Sequence, residues 1–421
     1  MVGNLKKRLF NPFFVAAFVC AVLIYGGFVK IADRHPLKSL GTSSSITGLV
    51  GEVASNPSIN SNGRFYSLVL SVERSFLTVN AFSMESSASG QVKCLVPSYM
   101  VESLYPGKLF SSFGKKIVFE KGERVMLSGN FSKGFFVAID GQYLERENNL
   151  KGKFIGIRTF SRIQFKRLMY GWKNAGGLIL ALLSGSREYT EKNVSDNFRN
   201  AGLSHILALS GMHLSFFAGL AGGSGKRIFG KKYSFFFRLF GILFFVWFAG
   251  LSPSLLRALL CSLIMLLCSS VFSTEADYFL VLCSVFLIHC LVIPADIFSA
   301  AFILSYGALA GILLLSDGVN SFLCRLLPGK ISSSLSASMG AQCATAPVSI
   351  GMFGTIMPCG ILASVVVSPL VSLFIFVALL SIILCLVMPF LAPAFGCIMN
   401  AIYKVIALTV QLFAFVPPLK F

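Results

Sequence analysis

The sequence predicts a polytopic α-helical membrane protein with an inserted small all-β (OB-like) soluble domain. Three observations predict it. Hydrophobic residues make up 55% of the 421, above the roughly 45–50% of soluble chains, and the mean hydropathy is +0.78. Several apolar runs approach the ~20 residues needed to cross a hydrocarbon core of about 30 Å. One stretch, 46–147, is patterned as strands.

Residues 1–45 hold the first apolar run, Phe13 to Val29, behind Lys6, Lys7 and Arg8. The outline is that of a signal peptide, but the run is long and no small-x-small cleavage site precedes a clear mature start. It is read as an uncleaved anchor.

In 46–150, ITGLVGEVA, RFYSLVLSV, FLTVNAF, QVKCLV and ERVMLSGNF carry the β-branched and aromatic enrichment of strands. They are broken by turn signals such as NPSINSNG, EKGE and SKG. Such strands make a small barrel or sandwich, and an OB-type barrel is one candidate. Phe65, Tyr66, Phe76 and Phe82 either fill its core by strand alternation or stack on bases. Acids and bases nearly cancel in this domain, so the net charge of +19 resides elsewhere.

It is concentrated in short stretches flanking the apolar runs. Within 151–174, Lys151, Lys153, Arg158, Arg162, Lys166, Arg167 and Lys173 occur without one acid, interleaved with Phe154, Ile157, Phe160, Ile163 and Phe165. This pattern approximates a basic amphipathic helix at a membrane surface. Attraction to anionic lipid headgroups and to a polyanion such as DNA both fit. A second basic loop carries Lys226, Arg227, Lys231, Lys232 and Arg238. Positive charge flanks both ends of the first span, and the β-domain is long enough to cross regardless of charge; it is placed outside.

The region 175–421 contains the remaining apolar runs: Phe235–Leu251, Leu255–Phe272, Tyr278–Ile293, Ile297–Leu315, Ile361–Leu391 and Phe395–Val416. Ile361–Leu391 exceeds a single span and is expected to form tilted or re-entrant pieces around Pro369. Of the 11 cysteines, all but Cys94 and Cys324 lie in or beside apolar runs, where a free thiol acts as a small hydrophobe. No CxxC pair points to zinc, and no cofactor is expected.

Polar side chains inside apolar spans cost roughly 2.5–3.5 kcal/mol on insertion scales, so they face a cavity or a partner. In GLSHILALSGMHLSFF, His205 and His213 are eight apart, on roughly one face of a continuous helix. Ser210 lies between them, and Gly211 either admits a neighbouring backbone or permits a break in the helix. These groups are either hydrogen-bonded packing glue or the wall of a path. The spacing is not that of a zinc HExxH site, ALSGM is not a nucleophile elbow, and AGGSGKRIFGK misplaces the first glycine of a phosphate loop. Arg257 either snorkels or pairs with helix-end carbonyls, or supplies a fixed positive charge in a polyanion path. Ser305 and Tyr306 interrupt FILSYGALAG, whose Gly307 and Gly311 are spaced for close helix packing. Gln342, Thr345 and Pro347 lie in GAQCATAPVSIGMFG, the expected site of a broken helix lining a path.

The order LLSGSREYTEKNVSDNFRNAGLSHILALSGMHLSF, AGLSPSLLRALL, IPADIFSAAFILSYGALAGI, GAQCATAPVSIGMFG and ILASVVVSPLV resembles the membrane domain of the ComEC competence family. The preceding β-domain, with EKGERVMLSGNF, looks like that family's outer OB-fold module. The SGLH-type motif falls on Ser210, Gly211, Met212 and His213, with Met212 replacing a common leucine. His205 matches the histidine of the preceding GLxHLLAIS pattern, Arg257 the arginine of P-x3-RA, and Ser305 the serine of FxLS.

The resemblance implies a channel subunit for single-stranded DNA in the bacterial cytoplasmic membrane, acting in natural transformation. Its path would be lined by His205, Ser210, Gly211, His213, Arg257, Ser305 and Gln342. Implied partners are single-stranded DNA, membrane lipids, a separate nuclease, a DNA receptor and a cytoplasmic motor, with an oligomer allowed. Many family members continue into a β-lactamase-like metallohydrolase. Here the sequence ends at Phe421, and His35 and His289 lack a metal-binding pattern. Nuclease activity is therefore expected from another polypeptide, and this chain is not expected to be an enzyme. A small-solute or ion transporter, a membrane-anchored scaffold and a non-transporting relative are the alternatives.

Overall fold

The computed structural model describes residues 11–28, 37, 45–59, 64–79, 82–98, 120–132, 134–145, 149–270 and 276–420. The chain forms two compact units. One comprises Ala32–Thr190 with Ala378–Ala401, the other Met1–Ile31, Glu191–Val377 and Ile402–Phe421.

The first unit is built on strands β1 (Ile46–Val53), β2 (Ser58–Ile59), β3 (Phe65–Val79), β4 (Phe82–Pro97), β5 (Arg124–Ser132) and β6 (Phe135–Tyr143). The sheet runs β1-β5-β6-β4-β3, and β1 also pairs with β3. Five strands thus close on themselves as a small OB-like barrel, with β2 appended to β3. The β4–β6 pairing is parallel, Cys94 opposite Phe136; the other pairings are antiparallel.

Register shifts interrupt the barrel pairings, and those between Val50 and Gly51 and between Ser128 and Gly129 fall at glycines. A Cβ on Gly51 would strike the Ser71 carbonyl, and one on Gly129 the Val137 carbonyl, so only glycine fits these corners. Alternating positions fill the core: Leu49, Val53, Leu68, Leu70, Val125, Leu127 and Phe136.

Two strand expectations change. FLTVNAF is not a strand of its own: Phe76–Val79 continue β3, and Phe82 begins β4. FFVAIDGQY, beyond the SKG turn, is β6, the strand that closes the barrel.

Helix α1 (Pro12–Tyr25) arises from the first apolar run and has 14 residues, about 21 Å at ~1.5 Å each. It falls short of the expected span. After the barrel come α2 (Leu150–Gly171), capped by Asn149, and α3 (Lys173–Ser184). Lys173 takes φ +51° at the corner between them. Asn400 braces that corner, donating to the Trp172 carbonyl at 2.9 Å and accepting from the Ala175 N–H at 3.3 Å.

The second unit contributes α4 (Lys192–Asn200), α5 (Ser204–Leu207), α6 (Gly211–Phe229), α7 (Ser234–Ala249), α8 (Pro253–Ser270), α9 (Tyr278–Val292), α10 (Ala300–Leu323) and α11 (Gly329–Phe353). Helices α12 (Cys359–Val387) and α13 (Ala392–Ala414) each contribute to both units. Among the described residues, Lys231–Ala249, Ala300–Leu323, Cys359–Val387 and Pro389–Ala414 are long and apolar enough to cross a membrane. The runs near Phe13, Leu255 and Tyr278 form shorter apolar helices.

Both proline expectations fail. α12 continues through Pro369 for 29 residues, and α11 continues through Pro347 until Gly354 ends it at φ +64°. Proline removes one donor but its φ is helical, and a packed membrane helix tolerates the loss. The GxxxG expectation holds in part. Gly311 meets Gly340 across α10 and α11, leaving no space for a Cβ, whereas a Cβ on Gly307 would find only Thr345 Cγ2 at 3.7 Å.

Candidate nucleic-acid path

The break in the helical run lies at Ala208–Ser210. Ala208 (ψ 141°) and Ser210 (ψ 170°) are extended, and α6 starts afresh at Gly211. His205 and His213 therefore belong to different helices, not to one face. Serine is a strong helix starter because its hydroxyl serves orphan backbone groups. Here the His213 ring serves the cap: the Ser210 backbone N–H donates to His213 Nδ1 at 3.2 Å, and Ser210 Oγ lies 3.1 Å from the same nitrogen. His213 is fully buried, and its Nε2 meets no described partner.

Beside the break lies a cavity of about 980 Å³ lined by α5, α6, α7, α8, α9 and α10 and by Ser368 of α12. His205, Ser210, Gly211, Arg257 and Ser305 all line it. His213 does not; its work is capping α6. Gln342 does not either, since its Nε2 donates to the Met357 carbonyl at 2.6 Å. These two expected path residues stand outside the cavity.

Arg257, half-buried on α8, donates from Nη1 to the Ser305 carbonyl of α10 at 2.5 Å. A Cβ on Gly211 would sit 3.6 Å from Arg257 Nη2, so the start of α6 passes close to the guanidinium. Among the described residues, no aspartate or glutamate lines the cavity. Its polar wall is instead Arg257, Arg238, His205 and a set of serine hydroxyls including Ser215, Ser254 and Ser262. Fixed positive charge without a carboxylate, surrounded by hydroxyl donors, suits an anion. Arg238 had been read only as part of a basic loop. The signal that placed it here is its position within the apolar run of α7, where its stem lies across Gly222.

The basic stretch of α2 divides differently from its sequence pattern. Lys153 is exposed, beside exposed Phe154, Ile157 and Phe160; the side chain of Lys151 lies outside the described residues. Arg158 donates to the Lys121 carbonyl at 3.3 Å, and Arg167 to Gln164 Oε1 at 3.3 Å.

Arg162 and Lys166 are 1% exposed. Arg162 Nε donates to Glu120 Oε2 at 2.8 Å, while Lys166 Nζ is 2.5 Å from Glu120 Oε1 and 3.0 Å from Glu188 Oε1. Ser186 Oγ and the Ser184 carbonyl complete the Arg162 fork. Expected as DNA or lipid contacts, these two cations are consumed by an internal ion-pair network. Lys226, Arg227, Lys231 and Lys232 are exposed at the end of α6 and in the turn after it. Of the barrel aromatics, Tyr66 is buried and Phe65 and Phe76 are half-buried, while the side chain of Phe82 lies outside the described residues. Among the described residues no group of three metal-ligating side chains converges.

A barrel followed by apolar helices long enough to span a bilayer, with a cavity that holds Arg257 and Arg238 among its described lining residues, defines a membrane protein suited to an anionic substrate. The family described as Competence protein matches residues 182–420, and the chain belongs to that family. Neither a curated protein nor a solved structure matches it. It is a membrane protein with a role in DNA uptake during transformation, and DNA is its transported substrate.

Proposed function

We propose that this chain is a channel subunit that passes single-stranded DNA across the bacterial cytoplasmic membrane as a multi-pass protein. The observation that carries the proposal is the cavity in which Arg257 and Arg238 stand among serine hydroxyls, with no carboxylate among the described lining residues. A backbone of successive phosphates needs cations at intervals, donors between them and no fixed negative charge. Exposed Lys226, Arg227, Lys231 and Lys232 add long-range attraction for the same polyanion. The proposal assigns no bond cleavage to this chain; strand degradation belongs to a separate nuclease.

The test is uptake of labelled DNA by cells carrying wild-type or Arg257→Gln chains at matched membrane abundance. Loss of internalised DNA with surface binding retained supports the proposal, and uptake equal to wild type sinks it. Binding of single strands to the purified chain should also weaken with salt, with a log–log slope near about −0.7 per phosphate neutralised.

A further inference from the structure

His289 was set aside in the sequence because no metal-binding pattern surrounds it, yet it is the most constrained imidazole of the helical unit. It is fully buried on α9, with its ring edge-on to Phe302 at 4.8 Å between centroids. Nδ1 lies 3.1 Å from Tyr306 Oη, and Nε2 lies 3.4 Å from Asp296 Oδ2. The Val285 carbonyl lies 3.3 Å from the same hydroxyl, whose single hydrogen serves either it or Nδ1. One imidazole therefore holds the chain at two heights, at Asp296 in the turn before α10 and at Tyr306 inside it.

Asp296 ties down the turn that leads into α10 and Tyr306 ties down the helix itself, so together they restrain the rotation of α10 as well as its position. Ser305, the residue before Tyr306, offers the carbonyl that accepts from Arg257 Nη1. Backbone atoms lie about 2.3 Å from a helix axis, so a rotation of ~25° would move that carbonyl by roughly 1 Å. Such a shift is enough to break a hydrogen bond. Arg257 Nε meets no described partner, so the Ser305 carbonyl is the hold on the guanidinium that the structure displays. We propose that His289 is a positioning residue for Arg257. Through Tyr306 and Asp296 it sets the rotation of α10, and through the Ser305 carbonyl it holds the guanidinium toward the cavity. The consequence for transport rests on the channel proposal above; the positioning itself does not.

The experiment uses the full chain in membranes with two readouts. The first is the rate of Arg257 modification by phenylglyoxal, followed by mass spectrometry of the peptide that contains it. The second is DNA uptake. Tyr306→Phe removes one hydroxyl and preserves the ring; His289→Ala removes both attachments; His289→Asn retains a polar atom near the position of Nδ1. Tyr306→Phe and His289→Ala should each raise the modification rate by about fivefold, the factor for losing one ordinary hydrogen bond. His289→Asn should restore part of the protection, which a loss of packing alone would not permit.

In uptake, Arg257→Gln combined with Tyr306→Phe should be no worse than Arg257→Gln alone, because both act through the same guanidinium. Wild-type modification rates in Tyr306→Phe and in His289→Ala at matched abundance would overturn the inference, as would additive uptake losses. If Arg257→Gln leaves uptake intact, the channel proposal fails while the modification rates still decide the positioning role.

Discussion

Arg162 Nε donates to Glu120 Oε2 at 2.8 Å across 42 residues of sequence, with both side chains 1% exposed. Lys166 closes the network between Glu120 and Glu188. Two cations and two anions are thus sealed where the barrel, α2 and the segment after α3 meet. The net charge of the four is zero, but each depends on the others, because an unpaired buried charge is far costlier than the pair.

Removing one member should therefore cost more than surface logic implies. Arg162→Ala should destabilise the fold by about 3–5 kcal/mol, because Lys166 alone is left to offset two buried carboxylates, Glu120 and Glu188. Lys153→Ala, an exposed base on the same helix, should stay within about 0.5 kcal/mol. Hydrogen exchange of the barrel strands in the detergent-solubilised full chain measures both. Equal protection in the two variants would contradict the network's role.

The same cluster sets an acid limit. Burial by itself raises the Glu120 carboxyl, but Lys166 and Arg162 against it hold it below its ordinary value of 4.5. A group whose folded-state pKa is the lower one contributes stability that is full above its unfolded value and is lost as pH falls through the folded one. Glu188 has the opposite sign. Burial raises it despite Lys166, so its contribution is present below 4.5 and declines as pH rises through its folded value. Glu120→Gln should flatten the acid-side loss of barrel protection, and Glu188→Gln should flatten the decline above it. Unfolding midpoints from about pH 3 to 7, spanning the carboxylate range, read both; parallel curves for wild type and Glu120→Gln would refute the assignment.

Helix packing gives a sharper contrast between two glycines four residues apart. A Cβ on Gly311 would strike the Gly340 carbonyl and meet the Ala344 methyl at 2.5 Å. Gly311→Val should cost about 1–3 kcal/mol through overpacking and lower membrane abundance. Gly307→Ala, whose Cβ would meet only Thr345 Cγ2 at 3.7 Å, should melt within a few degrees of wild type. A Gly311→Val chain as heat-stable as wild type would mean that α10 and α11 do not pack through this contact.

What the sequence revealed and what it hid follow one rule: local patterns were legible and distant partners were not. The strands of the barrel followed from alternation and turn signals, and the long apolar runs from length alone. Arg162 and Lys166 looked like surface bases because Glu120 is more than forty residues away, and charge spacing on α2 carries no trace of it. FLTVNAF misled because β3 is 15 residues long, well past the usual strand of about 5–6, so its far end resembles a new element. Pro347 and Pro369 are the residues local propensity marks as breaks, yet the break lies at Ala208–Ser210, beside Gly211, where an extended serine starts α6. Of the seven predicted path residues, the five that share the cavity were found by motif order, while His213 and Gln342 were claimed by backbone partners that no spacing reveals.

The Arg257–Ser305 contact distinguishes a backbone partner from a side-chain one, and uptake should rank the variants accordingly. The Ser305 group that accepts from Arg257 is its carbonyl, so Ser305→Ala keeps the contact and should retain near wild-type uptake. Arg257→Lys keeps the charge but exchanges a planar fork for a point charge; it should fall between wild type and Arg257→Gln. Gln342→Ala loses a bond to the Met357 carbonyl outside the cavity. It should cost about 0.5–1.5 kcal/mol of stability with uptake per folded molecule unchanged. The expected order at matched abundance is wild type, Ser305→Ala and Gln342→Ala together, then Arg257→Lys, then Arg257→Gln. If Ser305→Ala were as damaging as Arg257→Gln, the hydroxyl would be the working group of Ser305, and the guanidinium would be held in some other way.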